Sequence, residues 1–375
     1  MPSRRYLDHA AGSPALPEVV AAMAEVLPIA GNPSSLHTAG RAARRLLEES
    51  RETLAALLGA RPLEVVFTSG GTEANNLALL GATTPERPRV LTSAIEHPSV
   101  GAVGERLEQV RVPVTASGHL DLAALAGLVD VRTAVTSVMW VNNETGAIAP
   151  VGEVARIART AGSLAHSDAV QAFGHLSVDF AGSGLDLLSV SAHKLGGPVG
   201  VGALLVRQGV RLRPVGFGGG QEARLRSGSV PVALAVGFAT AAKIAVDRLA
   251  AEAVRLAGLR DLLIEGAVAA IPGCRVNTVA PCGPAIVNLT FTGVRADDVL
   301  LLLDAAGVDA STGSACTAGV HQPSEVLLAM GRTPADASAS LRFSFGPGTT
   351  TADLQAVLGL LPGVVARARA AAPAT

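Results

Sequence analysis

Cysteine is scarce in this chain: Cys274, Cys282 and Cys316 are the only three. Their number and irregular spacing exclude a disulfide framework and a cysteine-built zinc site, so a reduced, cytoplasmic protein is expected. Net charge is nearly absent as well, with 30 Lys and Arg against 31 Asp and Glu. That balance removes any bulk electrostatic argument for nucleic acid or an anionic membrane as partner. The N-terminus, "MPSRRYLDHAAG", lacks the apolar core of a secretion signal. The longest uncharged stretch, Val276 to Val294, holds two Asn, three Thr and two Pro, which excludes it as a membrane span. Aromatic residues make up only 3% of the chain, a figure that matches GC-rich coding, and neither an internal repeat nor a linker between halves is visible.

What is present is alternation. The 375 residues suffice for about two domains with buried cores. Short apolar runs ending in polar residues interleave with amphipathic stretches, the pattern of an α/β sheet covered by helices. "EVVFTSGG" (64–71) predicts strand and turn, and "TEANNLALLGA" the helix after it. "RVLTSAIEH", "TAVTSVMWV" and "SLAHSDAV" predict further strands. "LDLLSVSA" and "VGVGALLV" predict two strands on either side of the turn that holds Lys194. Residues 230 to 271 predict a long helical region. After it, "AIVNLTF" and "LRFSFG" as strands, with "RADDVLLLLDAAG" and "TADLQAVLGLL" as helices, predict a smaller α+β domain. The tail "ARARAAAPAT" is expected to fray.

Lys194 is the residue out of place, one ammonium in an apolar strand–turn–strand. A lysine can snorkel from a turn; an amine partly neutralised by desolvation is instead a nucleophile toward an aldehyde. Asp168 ends "SLAHSDAV", with Gln171 three residues later. As an isolated residue Asp168 could cap a helix. Together, a Schiff-base lysine and a carboxylate for a protonated ring nitrogen are what pyridoxal phosphate asks of a protein. "TSGGTEANN" adds glycines and Thr72 at a helix start, where free backbone N–H groups suit a phosphate. It is neither a Walker loop nor a dinucleotide fingerprint. His97 in "AIEHPS" reads as a loop histidine or as a ring-stacking proton carrier. Asn143 in "WVNNETG" reads as turn chemistry or as a donor to a phenolic oxygen.

The ordered set "YLDHAA", "GNPSSLH", "TSGGTEANN", "IEHPS", "VNNETG", "SDAVQAFG", "SAHKLGGPVGVGAL", "GGGQEARLRSGSVPV", "STGSACTAG" and "LRFSFG" spans nearly the whole chain. It resembles the cysteine desulfurases of the NifS and IscS group, within class V of the pyridoxal-phosphate aminotransferases. The resemblance implies a fold-type-I architecture: a large domain with a mostly parallel seven-stranded sheet over residues 15–250, and a small α+β domain from 1–14 and 251–375.

It also implies roles. Lys194 matches the Schiff-base lysine, Asp168 the pyridinium partner, and His97 the ring-stacking histidine. Gln171 and Asn143 match contacts to the phenolic oxygen. Gly71, Thr72, Ser191 and His193 match the phosphate cradle, and Ser229 stands where relatives carry a threonine donated across a dimer interface. Arg342 matches the clamp for the substrate carboxylate, with Asn32 and Asn143 beside it; a guanidinium fork suits that geometry. One motif departs: "DHAAGSP" replaces "DHAATTP", so Gly12 and Ser13 stand where two threonines flank the substrate entrance.

Cys316, in "STGSACTAGVHQPSEVL", matches the sulfur-accepting cysteine. A lone cysteine is usually a small buried hydrophobe, but here Gly313, Gly319 and small polar residues surround it. The implied reaction converts L-cysteine to L-alanine and leaves sulfane sulfur as a Cys316 persulfide. The implied partners are a second copy of the chain and an iron–sulfur scaffold or tRNA-thiolation protein as acceptor, with no resident metal, no direct nucleic acid and no membrane. Cys316 would at most ligate a cluster transiently with a scaffold. A selenocysteine lyase or another class-V aminotransferase would share every cofactor residue, and a non-catalytic pyridoxal-binding scaffold is the alternative of another kind.

Overall fold

The computed structural model describes residues 4–313 and 322–371. Its strands, in chain order, are β1 (Arg5–Tyr6), β2 (Val65–Thr68), β3 (Arg89–Ser93), β4 (Glu108–Val112), β5 (Thr133–Ser137), β6 (Leu164–Asp168), β7 (Leu187–Ser191), β8 (Gly202–Val206), β9 (Cys274–Val276), β10 (Ile286–Phe291), β11 (Val308–Asp309) and β12 (Ser340–Ser344). Seven of them form one sheet in the order β2-β8-β7-β6-β5-β3-β4. β8 runs antiparallel to both its neighbours, and the other pairs are parallel. β2, β5 and β7 are buried along their whole length, as strands covered on both faces must be. The exception is the edge strand β4, whose charged Glu108 and Arg111 fit a boundary against solvent.

A second core gathers the antiparallel sheet β12-β10-β9, the helices Ala296–Ala305 and Thr351–Ala371, and Leu7 next to β1. The helix Val232–Ala270, expected as a helical region, serves both cores. Ala235, Phe238 and Ala242 near its start pack under the large sheet. Leu256, Leu259 and Leu263, further on, enter the second core.

The expected fraying of the tail is corrected as far as Ala371. The terminal helix continues through Pro362 because Val364, Val365 and Ala368 are buried, and Arg369 donates to the carbonyls of Thr292 (3.0 Å) and Pro272 (2.7 Å). Residues 372–375 lie outside the described residues. This helix is long and apolar enough to cross a membrane by composition, yet here its apolar face forms part of the second core.

Candidate active site

The parallel strands β2, β3, β5, β6 and β7 end at one edge of the sheet, where side chains leave the core for the loops. A cavity of about 1170 Å³ opens there, and its wall includes Gly71, Thr72, His97, Asn143, Asp168, Gln171, His193, Lys194 and Arg342. These residues come from across the first 342 positions. The seven-stranded sheet brings all but Arg342 together, and Arg342 reaches them from β12.

Lys194 closes a short 3-10 turn after β7, and Gly196 completes the reversal at φ +76°, a conformation that favours glycine. Its Nζ donates to the carbonyl oxygens of Ala10 (2.7 Å) and Ala11 (2.8 Å). Burial, and then the nearby Arg342 guanidinium, hold its pKa down at about 8. Asp168 ends β6 and is 5% exposed. Its two oxygens accept from Asn75 Nδ2 at 2.7 Å and from the Val170 amide at 2.9 Å.

The same Asn75 nitrogen donates to Ser99 Oγ at 2.9 Å, and Ser99 Oγ lies 2.8 Å from His97 Nδ1. The Ser99 amide also donates to that Nδ1. With Nδ1 accepting, the neutral ring carries its proton on Nε2. Desolvation by the cavity wall lowers the pKa of His97, so this neutral form prevails near pH 7.

Gly71 and Thr72 open the helix Gly71–Ala82 beneath the cavity. A Cβ on Gly71 would meet Val170 Cγ2 at 2.8 Å, so glycine is what lets the helix start this close to β6. His193 Nδ1 lies 2.7 Å from Ser191 Oγ. Burial, and then Lys194, lower the pKa of His193 to about 4, which leaves it neutral. Arg342, on β12, donates to the Asn143 carbonyl (3.0 Å) and to Asp8 Oδ1 (2.6 Å). An amine, a held carboxylate, a helix N-terminus and a guanidinium thus face one cavity. This donor set fits pyridoxal phosphate with an amino-acid substrate: aldehyde, ring nitrogen, phosphate and substrate carboxylate each have a counterpart.

The class-V aminotransferase family model matches residues 5–357. An IscS-like cysteine desulfurase of Mycobacterium tuberculosis is 49% identical over 98% of each chain. The chain belongs to the class-V aminotransferases, in their NifS- and IscS-like cysteine desulfurase group. Solved structures agree. A NifS-like protein superposes with a TM-score of 0.90 at 32% identity, covering 97% of this chain and 100% of the other. SspA in complex with cysteine reaches 0.81 at 31% identity, covering 92% and 100%.

Not every expected site residue of this desulfurase reaches the cavity. Asn32 is exposed and its Oδ1 accepts from the Ser34 amide. Ser229 is exposed too, its carbonyl accepting from Arg226. Neither residue is part of the cavity wall formed by its own chain. Cys316 lies outside the described residues. Cys274 and Cys282 are half-buried away from the cavity, and burial pushes the Cys274 thiol up to about 11.

The Gly12–Ser13 departure also lies off the cavity wall, which Ala10 and Ala11 form instead. Ser13 braces the lysine turn from behind, with its amide donating to His193 O (2.9 Å) and its hydroxyl to Lys194 O (3.2 Å).

Asn75, Glu96 and Glu144 are wall residues with no expected role. Asn75 orients Asp168. Glu96 is held well above the carboxylate range by burial while its Oε1 accepts from the Met139 amide. Glu144, also raised by burial, accepts from Ser324 Oγ at 2.5 Å. Asn75 was signalled in the motif "TEANN", one helical turn after Gly71 on the face toward the sheet.

Proposed function

We propose that the chain is a pyridoxal-phosphate-dependent cysteine desulfurase that converts L-cysteine to L-alanine and keeps the sulfur as a Cys316 persulfide. The observation that carries this reading is the convergence of Lys194, Asp168, His97 and Arg342 on one cavity. Lys194 would hold the cofactor, Asp168 its ring nitrogen, and Gly71, Thr72, Ser191 and His193 its phosphate. Gln171 and Asn143 would reach its phenolic oxygen. Bound there, the cofactor supplies an electron sink for the substrate α-carbon.

The remaining chemistry belongs to the chain. Arg342 holds the substrate carboxylate. Lys194 Nζ, whose pKa of about 8 makes the free amine available near neutrality, takes the α-proton. His97, hydrogen-bonded through Nδ1, offers Nε2 as the proton carrier for thiol and leaving group. The Cys316 thiolate attacks the substrate sulfur. The carbon–sulfur bond breaks, the carbon keeps the electron pair and gains a proton to become the methyl group of alanine, and sulfur stays on Cys316.

The working unit is a homodimer in which Ser229 reaches the phosphate of the partner copy's site; the exposure of Ser229 on its own chain supports this. Residues 15–250 act as the large domain, with 1–14 and 251–375 as the small one, a division supported by the separation of the two largest hydrophobic cores. The enzyme works in the cytoplasm and passes sulfur to an iron–sulfur scaffold or a tRNA-thiolation protein. The test is a single turnover with L-cysteine followed by peptide mass spectrometry. One extra sulfur on the Cys316 peptide, with one alanine released, is the expected result. Sulfur on Cys274 or Cys282, or none, would refute the assignment.

A further inference from the structure

Arg342 is committed before any substrate arrives. Its side chain is only 4% exposed. One terminal nitrogen donates to Asp8 Oδ1 at 2.6 Å and the other to the Asn143 carbonyl at 3.0 Å. Its Nε is buried and has no hydrogen-bond partner among the described residues. Little N–H surface is left for a second anion while Asp8 stays in place. Asp8, by contrast, keeps 21% of its side chain exposed, so it has room to move.

We propose that Asp8 is a specificity-determining residue: a carboxylate of the chain itself that occupies Arg342 until the carboxylate of an amino-acid substrate exchanges with it. The inference rests on the reading of Arg342 as the substrate clamp. A buried guanidinium stripped of its anion is costly, so only a ligand that brings an anion can release Asp8. A simple amine cannot complete the exchange, and the Asp8–Arg342 pair then stays closed.

The consequence reaches the other end of the cavity. Asp8 begins a strap, residues 8–13, that bridges to Ser344 on β12 through backbone pairing and through the Ala10 amide on Ser344 Oγ (2.8 Å). Two and three residues after Asp8, Ala10 and Ala11 hold the Lys194 amine on their carbonyls. Gln171 donates to the same Ala10 carbonyl at 2.9 Å. The carboxylate that takes over Arg342 therefore loosens the segment on which Lys194 is parked, and links recognition of the substrate to release of the amine.

The test compares L-alanine with ethylamine, two amines that differ only in the carboxylate, by absorbance titration of the holoenzyme. In Asp8→Asn the dissociation constant of L-alanine should fall about fivefold, the scale of removing one partly exposed competing ion pair, while that of ethylamine stays within about twofold. The ratio of the two is the readout, because Asp8 also acts electrostatically on Lys194 and shifts both ligands alike. Asp8→Ala should move the ratio in the same direction. An unchanged or larger ratio of alanine to ethylamine constants in both variants overturns the proposal, because Asp8 would then support Arg342 rather than compete for it. Arg342→Gln should abolish the preference for L-alanine. If that preference survives, the clamp reading fails first and independently of Asp8.

Discussion

Asn75 Nδ2 donates to Asp168 Oδ2 at 2.7 Å, deep beneath the cavity, where Asn75 is 1% exposed. The bond joins a helix to the end of a central strand and fixes the carboxylate as an acceptor. Since the Asn75 nitrogen also donates to Ser99 Oγ, and Ser99 to His97, the carboxylate and the histidine are set by one amide.

Asp168→Asn should therefore leave the fold in place but remove the anion that a protonated ring nitrogen needs. Turnover of cysteine is expected to fall on the order of a hundredfold or more, the range seen when one preorganised electrostatic partner is deleted. Steady-state alanine formation, with a melting curve as control for folding, measures it. Turnover within about threefold of the parent would contradict the role of Asp168.

Lys194 yields a prediction in pH. Its pKa is depressed to about 8, chiefly by burial. Below that value the amine is an ammonium donating to Ala10 O and Ala11 O and is not a nucleophile; above it, the lone pair is free. The rate at which apoprotein takes up pyridoxal phosphate should rise with pH up to about 8 and level off beyond it. Stopped-flow absorbance from acidic to alkaline buffer checks this. A rate that keeps climbing toward the ordinary lysine range near pH ~10 would show a solvated lysine instead.

Much of this architecture was legible in local sequence. β2 and β7 are buried strands, and the runs that announce them are mainly apolar and end in polar residues. What escaped was whatever depends on distant packing. Asp8 and Arg342 are 334 residues apart, and neither predicts the other. The tail "ARARAA" looked like a fraying end because the anchors of Arg369, Thr292 and Pro272, lie far upstream. Ser13 was expected at the substrate entrance, yet the strap turns its hydroxyl toward the back of the lysine turn, a direction no spacing reveals. The helices Pro17–Val26 and Thr38–Leu57 were not anticipated. The second begins on a His37 cap, an unusual capping residue, and carries charge over most of its surface.

Gly71→Ala should weaken the cofactor through its neighbour rather than directly. The new methyl would sit 2.8 Å from Val170 Cγ2, and the Val170 amide is one of the two donors to Asp168. Overpacking of this kind costs about 1–3 kcal/mol. Equilibrium titration with pyridoxal phosphate should show weaker binding by about tenfold, restored in large part by adding Val170→Ala. Failure of the second change to rescue would place the defect elsewhere, in the helix start itself.

The Arg51–Glu222 pair offers a test of stability separate from the chemistry. Glu222 is 2% exposed, and its two oxygens accept from both terminal nitrogens of Arg51 at 2.8 Å. One of those oxygens also accepts from the Phe67 amide, and Arg51 donates to the Val65 carbonyl and lies 4.9 Å from the Phe67 ring centre. The pair thus ties the segment before the long helix to β2, the edge strand next to the antiparallel β8. Glu222→Gln would take the buried carboxylate from Arg51 and leave it the more exposed Glu48, 3.2 Å from its Nε; loss of a buried partner costs up to about 3–5 kcal/mol, whereas replacing Arg51 and Glu222 together by apolar residues of similar volume removes the poorly compensated charge. Urea unfolding should therefore show Glu222→Gln strongly destabilised and Arg51→Met with Glu222→Leu considerably closer to the parent. The order would reverse if the pair were solvated: the single change would then cost little, and the double change would lose the hydrogen bonds to β2 with nothing regained.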